Sequence, residues 1–249
     1  MEGPSLFLAA EMLSPFVGKT ILAIEGNTKI GKERLSEKKI LDIFSWGKHL
    51  VFQFDEFALR IHFMLFGSYE AIIKNKKITG DYPKKAKPQL QLTFAKGQII
   101  IYSSSLKYIE TAHAKDLYDF STDIMSKKWD SKKALNTVKK LQEVEIGDIL
   151  LDQNIFSGVG NIIKNEVIFL IKISPTTLIK NLSNLILLKI IKNTQAYAHQ
   201  FYEWRKKFVL KKHYQIYRKK ICPLCGEKVC RKKTGIRDRL SFFCPNCQK

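Results

Sequence analysis

Hydrophobic and polar residues alternate with a period of two through much of the first half of the chain. Leu50-Val51-Phe52-Gln53-Phe54 and Leu59-Arg60-Ile61-His62-Phe63 flank a polar break at Asp55-Glu56, and Leu90-Gln91-Leu92-Thr93-Phe94 meets Ile99-Ile100-Ile101-Tyr102 across Lys96-Gly97-Gln98. Runs of this kind, bounded by turn residues, predict hairpins. Ahead of them, Pro4-Ser5 followed by Leu6, Ala9, Ala10 and Leu13 predicts one short helix that stops at Pro15. The charged stretch from Lys74 to Lys87 has no period and is expected to be an exposed loop.

Beyond about residue 126 the period lengthens to that of helices. Asp130 is placed to cap an amphipathic stretch through Leu141, and Ile146 to Gln153, Asn161 to Ile171 and Ser183 to Trp204 continue the pattern. The expected fold class is therefore α+β and multidomain: a mostly β domain over residues 1–125, a helical domain over 126–213 and a cysteine-bearing ribbon over 214–249. With 249 residues, 45% hydrophobic and 27% charged, the chain has material for one large core or two smaller ones, which excludes disordered and fibrous classes. The opening MEGPSLFLAAEMLSPF has no basic leader, and eighteen apolar residues never run uninterrupted. Neither a signal peptide nor a membrane span is expected, and the location expected is the cytoplasm, at the nucleoid in a bacterium.

Charge narrows the class of partner. The chain carries 43 Lys and Arg against 23 Asp and Glu, a net +20, and residues 126–249 hold +17 of it. From Trp204 to Arg239 there are 14 basic residues opposed only by Glu227 and Asp238. Self-repulsion on this scale points to a polyanionic partner, nucleic acid ahead of an anionic membrane surface.

Cysteine placement is as uneven as charge. Cys222-Pro223-Leu224-Cys225 and Cys244-Pro245-Asn246-Cys247 are two Cys-x2-Cys knuckles, which together offer the four sulfurs of a tetrahedral zinc site. Two disulfides are the other arrangement, but a chain without a secretion signal is expected in a reducing compartment, where clustered thiols hold metal. One structural Zn²⁺ per chain is expected, closed to chemistry by its four protein ligands, with Cys230 left over as a spare thiol. The ribbon it folds carries Arg231, Lys232, Lys233, Arg237 and Arg239. Upstream, Gly158-Val159-Gly160-Asn161 joins two helical stretches, and the free N–H groups beside Asn161 form either a phosphate seat or a plain helical hairpin.

Four segments in this order resemble the formamidopyrimidine-DNA glycosylase and endonuclease VIII family of base-excision repair enzymes. They are Glu2-Gly3-Pro4, Trp46-Gly47-Lys48-His49, the run from Leu151 to Glu166, and Arg239-Leu240-Ser241-Phe242-Phe243-Cys244-Pro245-Asn246-Cys247-Gln248. The resemblance implies an N-terminal β-sandwich, a helix-two-turns-helix domain and a zinc ribbon. It further implies a bifunctional DNA glycosylase and abasic-site lyase, acting as a monomer on double-stranded DNA with oxidised bases or abasic sites. The damaged nucleotide is flipped out, an N-terminal amine attacks C1′, and the Schiff base undergoes β- and δ-elimination. By the same resemblance Glu2 is the proton-shuttling acid and Lys48 holds phosphate near the lesion. Asn161 and Arg239 grip the flanking phosphates, a task that suits the arginine fork.

The family's nucleophilic proline has no counterpart, because the register puts Met1 in its place. The primary α-amine of Met1, with a reference pKa of about 7.7–8.0, is chemically able to form an imine. A start that lacks the proline, or a protein of the same fold that binds lesions without cutting, remain the other readings. Leu65, between Met64 and Phe66, stands at the wedge position that fills the space left by a flipped base, and His62 is either a phosphate contact or a packed strand histidine. Ser105-Leu106-Lys107-Tyr108 matches the family's second DNA-contacting loop, with Tyr108 as its aromatic. Leu106 at an arginine position cannot hydrogen-bond cytosine, which points towards oxidised pyrimidines and abasic sites or a broad lesion range.

Overall fold

The computed structural model describes residues 1–74, 76–80 and 87–249, which fold as two compact units, Met1–Asp119 and Phe120–Lys249. The first begins with α1 (Gly3–Leu13), entered through Pro4 and burying Leu6, Ala9 and Leu13. Among the described residues nine strands follow: β1 (Ala23–Glu25), β2 (Asp42–Trp46), β3 (His49–Gln53), β4 (Ala58–His62), β5 (Ser68–Ile73), β6 (Lys76–Thr79), β7 (Leu90–Phe94), β8 (Gly97–Tyr102) and β9 (Ser105–Ile109).

They form two antiparallel sheets, one in the order β1-β7-β8-β5-β6 and the other β2-β3-β4-β9. The period-two pattern is what makes them a sandwich. Leu50 and Phe52 of β3, Leu59 and Ile61 of β4, Leu90 and Leu92 of β7, and Ile99 and Ile101 of β8 form one core with Leu6, Ala9 and Leu13 of α1. Each such leucine, isoleucine or phenylalanine contributes about 1.5–3 kcal/mol by leaving water. The β2–β3 hairpin closes through Gly47 and Lys48, with Trp46 opposite His49 and Gly47 at φ +53°. A two-residue hairpin turn needs a left-handed residue at that point, which glycine supplies without strain.

Two expectations for this unit are corrected. The stretch Lys74–Lys87 is not wholly a loop: Lys76–Thr79 pairs with β5 as an edge strand, while 75 and 81–86 lie outside the described residues. Lysines on such an edge keep it from pairing with another chain and hide it from a search for hydrophobic alternation. Ser105–Tyr108 does not form a loop either. It lies on β9, paired with β4, and Leu106 packs against the core. No lesion preference follows from that run.

The second unit contains α2 (Ser131–Val138), α3 (Ile146–Ile149), α4 (Asn161–Leu170) and α5 (Asn184–Lys206), then a hairpin of β10 (Cys230–Thr234) and β11 (Arg239–Phe243). Asp130 caps α2 by accepting the N–H groups of Lys132 and Lys133 at 2.9 Å each. Ser183 caps α5 through Ile186. The helical core joins Ile163 and Val167 of α4 to Leu187, Ile190, Ala198 and Phe201 of α5. Helix α3 is shorter than the stretch Ile146–Gln153 predicted. Asp152 turns its carboxylate onto the N–H of Asn154 at 2.9 Å and closes a local turn in place of another helical one.

Polar residues of α4 join the helices to the hairpin. Buried Lys164 donates to the Ser241 hydroxyl at 2.8 Å, and the N–H of Phe242 donates to Asn165 Oδ1 at 2.8 Å. Glu166, fully buried, accepts the backbone N–H groups of Gln215, Ile216 and Tyr217 at 2.8, 3.1 and 2.7 Å. At the hairpin turn, Asp148 of α3 accepts from Ile236 at 2.8 Å, and a Cβ on Gly235 would lie 2.3 Å from that carboxylate. Replacing Glu166 with alanine strands those three donors, at an expected cost of about 2–4 kcal/mol. Denaturant unfolding of Glu166→Ala checks this, and an unchanged midpoint would contradict it.

Candidate functional site

In the first unit the N-terminal segment and the β2–β3 turn supply the expected reactive groups. Glu2 is buried and stands at the N-cap of α1, where its carbonyl accepts from Ser5 at 3.0 Å and Leu6 at 3.2 Å. Its side chain makes no capping bond, so the helix does not consume the carboxylate. Lys48, half-buried, occupies the turn fixed by Gly47. His62 ends β4, and its ring meets that of His49 edge-on at 5.5 Å.

Electrostatics tie these groups together. Burial first, then the N-terminal amine, Lys48 and Arg60 hold the His62 imidazole below its ordinary pKa. His49 is pushed down to about 4, by burial first and then by Arg60, His62 and Lys48. One cluster thus gathers the amine of Met1, Lys48, Arg60 and two imidazoles that stay neutral near pH 7. Such a cluster attracts anionic oxygens while leaving the rings able to donate or accept one hydrogen bond each. Trp46 stacks on His49 at 5.8 Å and on Tyr118 at 5.1 Å, walling one side. His49, Arg60 and Tyr118 were not among the expected site residues. Alternation along β4 puts Arg60 and His62 on one face, and that is the signal in the sequence that bears on them.

After His62 the chain turns sharply. Met64 adopts φ +38°, its N–H donates to His62 Nδ1 at 3.3 Å, and Gly67 N–H donates to Phe63 O at 2.9 Å. A Cβ on Gly67 would lie 2.3 Å from Phe63 O, so the turn tolerates no side chain there. It presents Met64, Leu65 and Phe66 at 57%, 65% and 68% exposure. Tyr108 is elsewhere. Its hydroxyl donates to Gly31 O at 2.9 Å, its ring packs edge-on against Phe57, and Arg34 lies over it.

In the second unit, the Asn161 side chain donates to the Leu240 carbonyl at 2.8 Å. That bond brings the first residue of α4 beside β11, whose first residue is the exposed Arg239. Asn161 and Arg239 are therefore brought together by Leu240, with the N–H groups of a ten-residue helix opening beside them. Sequence reasoning passed over Lys164, Asn165 and Asp148, which hold this arrangement from behind.

The sulfurs of Cys222, Cys225, Cys244 and Cys247 all lie within 4.8 Å of one another. Cys222 and Cys247 are 3.9 Å apart, and Cys225 and Cys244 3.5 Å. Tetrahedral zinc with bonds of about 2.3 Å spaces its sulfurs about 3.8 Å apart, so this cluster has the dimensions to hold a metal ion. Gly226 at φ +78° lets the first knuckle close, and buried Gln248 fixes the second by accepting from Cys244 N–H and donating to Ile173 O. Cys230 stands outside the cluster.

Residues 120–200 match the formamidopyrimidine-DNA glycosylase H2TH domain. Human Endonuclease 8-like 3 is 31% identical over 206 residues, which take in 82% of this chain and 33% of the human protein. This chain thus spans about a third of the length of that relative and of its mouse counterpart. Formamidopyrimidine-DNA glycosylase of Ureaplasma parvum serovar 3 is 26% identical over 275 aligned positions, covering 97% of this chain and 95% of that protein. The fold is shared with Lactococcus lactis formamidopyrimidine-DNA glycosylase non-covalently bound to DNA containing an abasic site, at TM-score 0.83, 24% identity and full coverage of both chains.

The lowered pKa of His49 sets a pH dependence. An unfolded chain protonates this histidine near its ordinary 6.5, whereas the folded chain resists until about 4. Stability is full above pH 6.5 and falls by at most about 3 kcal/mol as the pH drops through that window. Unfolding of His49→Phe at pH 7 and pH 4.5 checks it. The variant is expected to lose part of the acid sensitivity, and an identical slope would contradict the assignment.

Proposed function

We propose, since the chain belongs to the formamidopyrimidine-DNA glycosylase and endonuclease VIII family, that it excises oxidised bases from double-stranded DNA and cuts the strand at the abasic site. The observation that carries this reading is the cluster in the first unit, where the N-terminal amine and Lys48 both act on the His62 imidazole, with buried Glu2 next to that amine in the chain.

In this proposal the Met1 amine is the nucleophile. Its lone pair forms a bond to C1′ of the extruded nucleotide as the C1′–base bond breaks and the base leaves with that electron pair; the nitrogen sheds a proton, Glu2 protonates the ring oxygen, and the C1′–O4′ bond breaks as the nitrogen lone pair completes the protonated imine. Loss of a proton at C2′ then expels the 3′ phosphate, a second elimination expels the 5′ phosphate, and water releases the sugar fragment from the imine. Lys48 and His62 hold the phosphate next to the lesion, Asn161 and Arg239 the phosphates that flank it, and Leu65 fills the vacated space. The four cysteines hold one zinc ion, which folds the ribbon carrying Arg239 and takes no part in the reaction. The protein acts as a monomer.

Two measurements test this. Borohydride added to the protein on a duplex with a single abasic site is expected to trap a covalent adduct on the Met1 peptide, and Glu2→Gln to slow trapping about 100-fold or more. Tight binding without any adduct would instead favour a damaged-DNA-binding protein, the reading that follows from methionine in the place of proline. For the metal site, cobalt(II) titration is expected to saturate at one ion per chain with the intense absorption of tetrahedral thiolate coordination, and Cys244→Ser to abolish it. Retention of that absorption in the variant would rule out the four-cysteine site.

A further inference from the structure

The reaction proposed above leaves one buried polar group of α1 without a task. Ser5 is 3% exposed, and its hydroxyl has no hydrogen-bond partner among the described residues. A buried hydroxyl left unpaired destabilises a fold, and alanine would occupy the same helical position without that cost. Its place on α1 says where a partner would arrive. Ser5 is the third residue of the helix whose N-cap is Glu2, and its N–H donates to the Glu2 carbonyl at 3.0 Å, which locks it one turn above the N-terminal dipeptide. Helical Cα–Cβ bonds tilt towards the helix start, and a side chain at this third position reaches back towards the N-cap. The hydroxyl is therefore directed to the end of the chain that carries the Met1 amine and the Glu2 carboxylate.

That end is electropositive. The Met1 amine and Lys48 both act on the His62 imidazole, and the eleven-residue helix turns the positive end of its dipole to the same place. A cation formed there needs an acceptor, and the proposed reaction forms one. The neutral Met1 amine has two N–H bonds; the nitrogen gains C1′, sheds one proton and, once the sugar ring has opened, is a protonated imine with one N–H left. Glu2 is engaged at the ring oxygen. We propose that Ser5 Oγ accepts that remaining N–H, so that Ser5 is a positioning residue that orients the Met1 nitrogen and stabilises the cationic imine. An imine built on proline carries no N–H, so the hydroxyl has this use only where a primary amine leads the chain. The inference rests on the glycosylase reading above and on Met1 as its nucleophile.

The test follows borohydride trapping in a single turnover at saturating abasic duplex. Wild type, Ser5→Ala and Ser5→Thr are compared, each also prepared with a free N-terminal proline directly before Glu2. With Met1 leading, Ser5→Ala is expected to slow trapping about tenfold and Ser5→Thr to restore it, while duplex affinity is unchanged and the denaturation midpoint of Ser5→Ala is at or above that of wild type. With proline leading, Ser5→Ala is expected to lose its effect on trapping. Trapping at the wild-type rate by Ser5→Ala with Met1 leading overturns the role of Ser5, and so does equal slowing in both backgrounds, which would assign the hydroxyl to the substrate or the fold. A wild-type protein that binds the duplex but yields no adduct overturns the nucleophile reading as well, so the two failures are told apart by the wild-type data alone.

Discussion

Lys164, Asn165 and Glu166 follow one another on α4, all three are buried, and each has a partner supplied from outside the helix. An uncompensated buried charge costs several kcal/mol, so neither the ammonium nor the carboxylate is tenable unless the segment from Gln215 to Phe242 is seated on the helix. The converse also holds. A two-stranded hairpin is marginal in water, and a short linker has few ways to satisfy its own backbone donors. Helix and ribbon thus complete each other. The seam extends from Asp148 at the hairpin turn through Glu166 at the linker to Gln248 behind the second knuckle.

The same seam positions Asn161 and Arg239, the pair proposed to grip phosphates. Asn161 reaches the Leu240 carbonyl only while β11 lies on α4, and Arg239 is the residue before Leu240. A metal ion in the cysteine cluster would act at one end of this arrangement, by holding together the knuckles that carry β10 and β11 between them. In the first unit a different constraint does the positioning. Gly47, at positive φ, and Gly67, where a Cβ would lie 2.3 Å from Phe63 O, close the turns that carry Lys48 and Leu65.

Much of this was legible in the sequence. The strands with clean alternation, the capped helices at Ser131 and Asn184, and the double Cys-x2-Cys spacing each carry a local signal, and the four motifs are contiguous stretches. What escaped was set by partners distant in the chain. Lys76–Thr79 is a strand because β5 offers an edge, not because its own residues alternate strongly. Ser105–Tyr108 reads as a loop by resemblance, yet pairing with β4 straightens it and Gly31 captures Tyr108. Lys164 looks like an exposed helical lysine until Ser241 arrives from 77 positions away. His49 and Arg60 gain meaning only when β3 and β4 lie side by side.

The mutual dependence of helix and ribbon is tested most directly by native-state hydrogen exchange in Asn165→Ala, which removes the acceptor of Phe242 and the bond Asn165 donates to Asn161 O within α4, and leaves every other side chain of the seam in place. If the seam is one cooperative unit, the amides of Ile216, Tyr217 and Ile236 lose protection together with that of Phe242, to a common opening free energy. If only the Phe242 amide exchanges faster while the other three keep their wild-type protection, the contacts are independent and the account is contradicted.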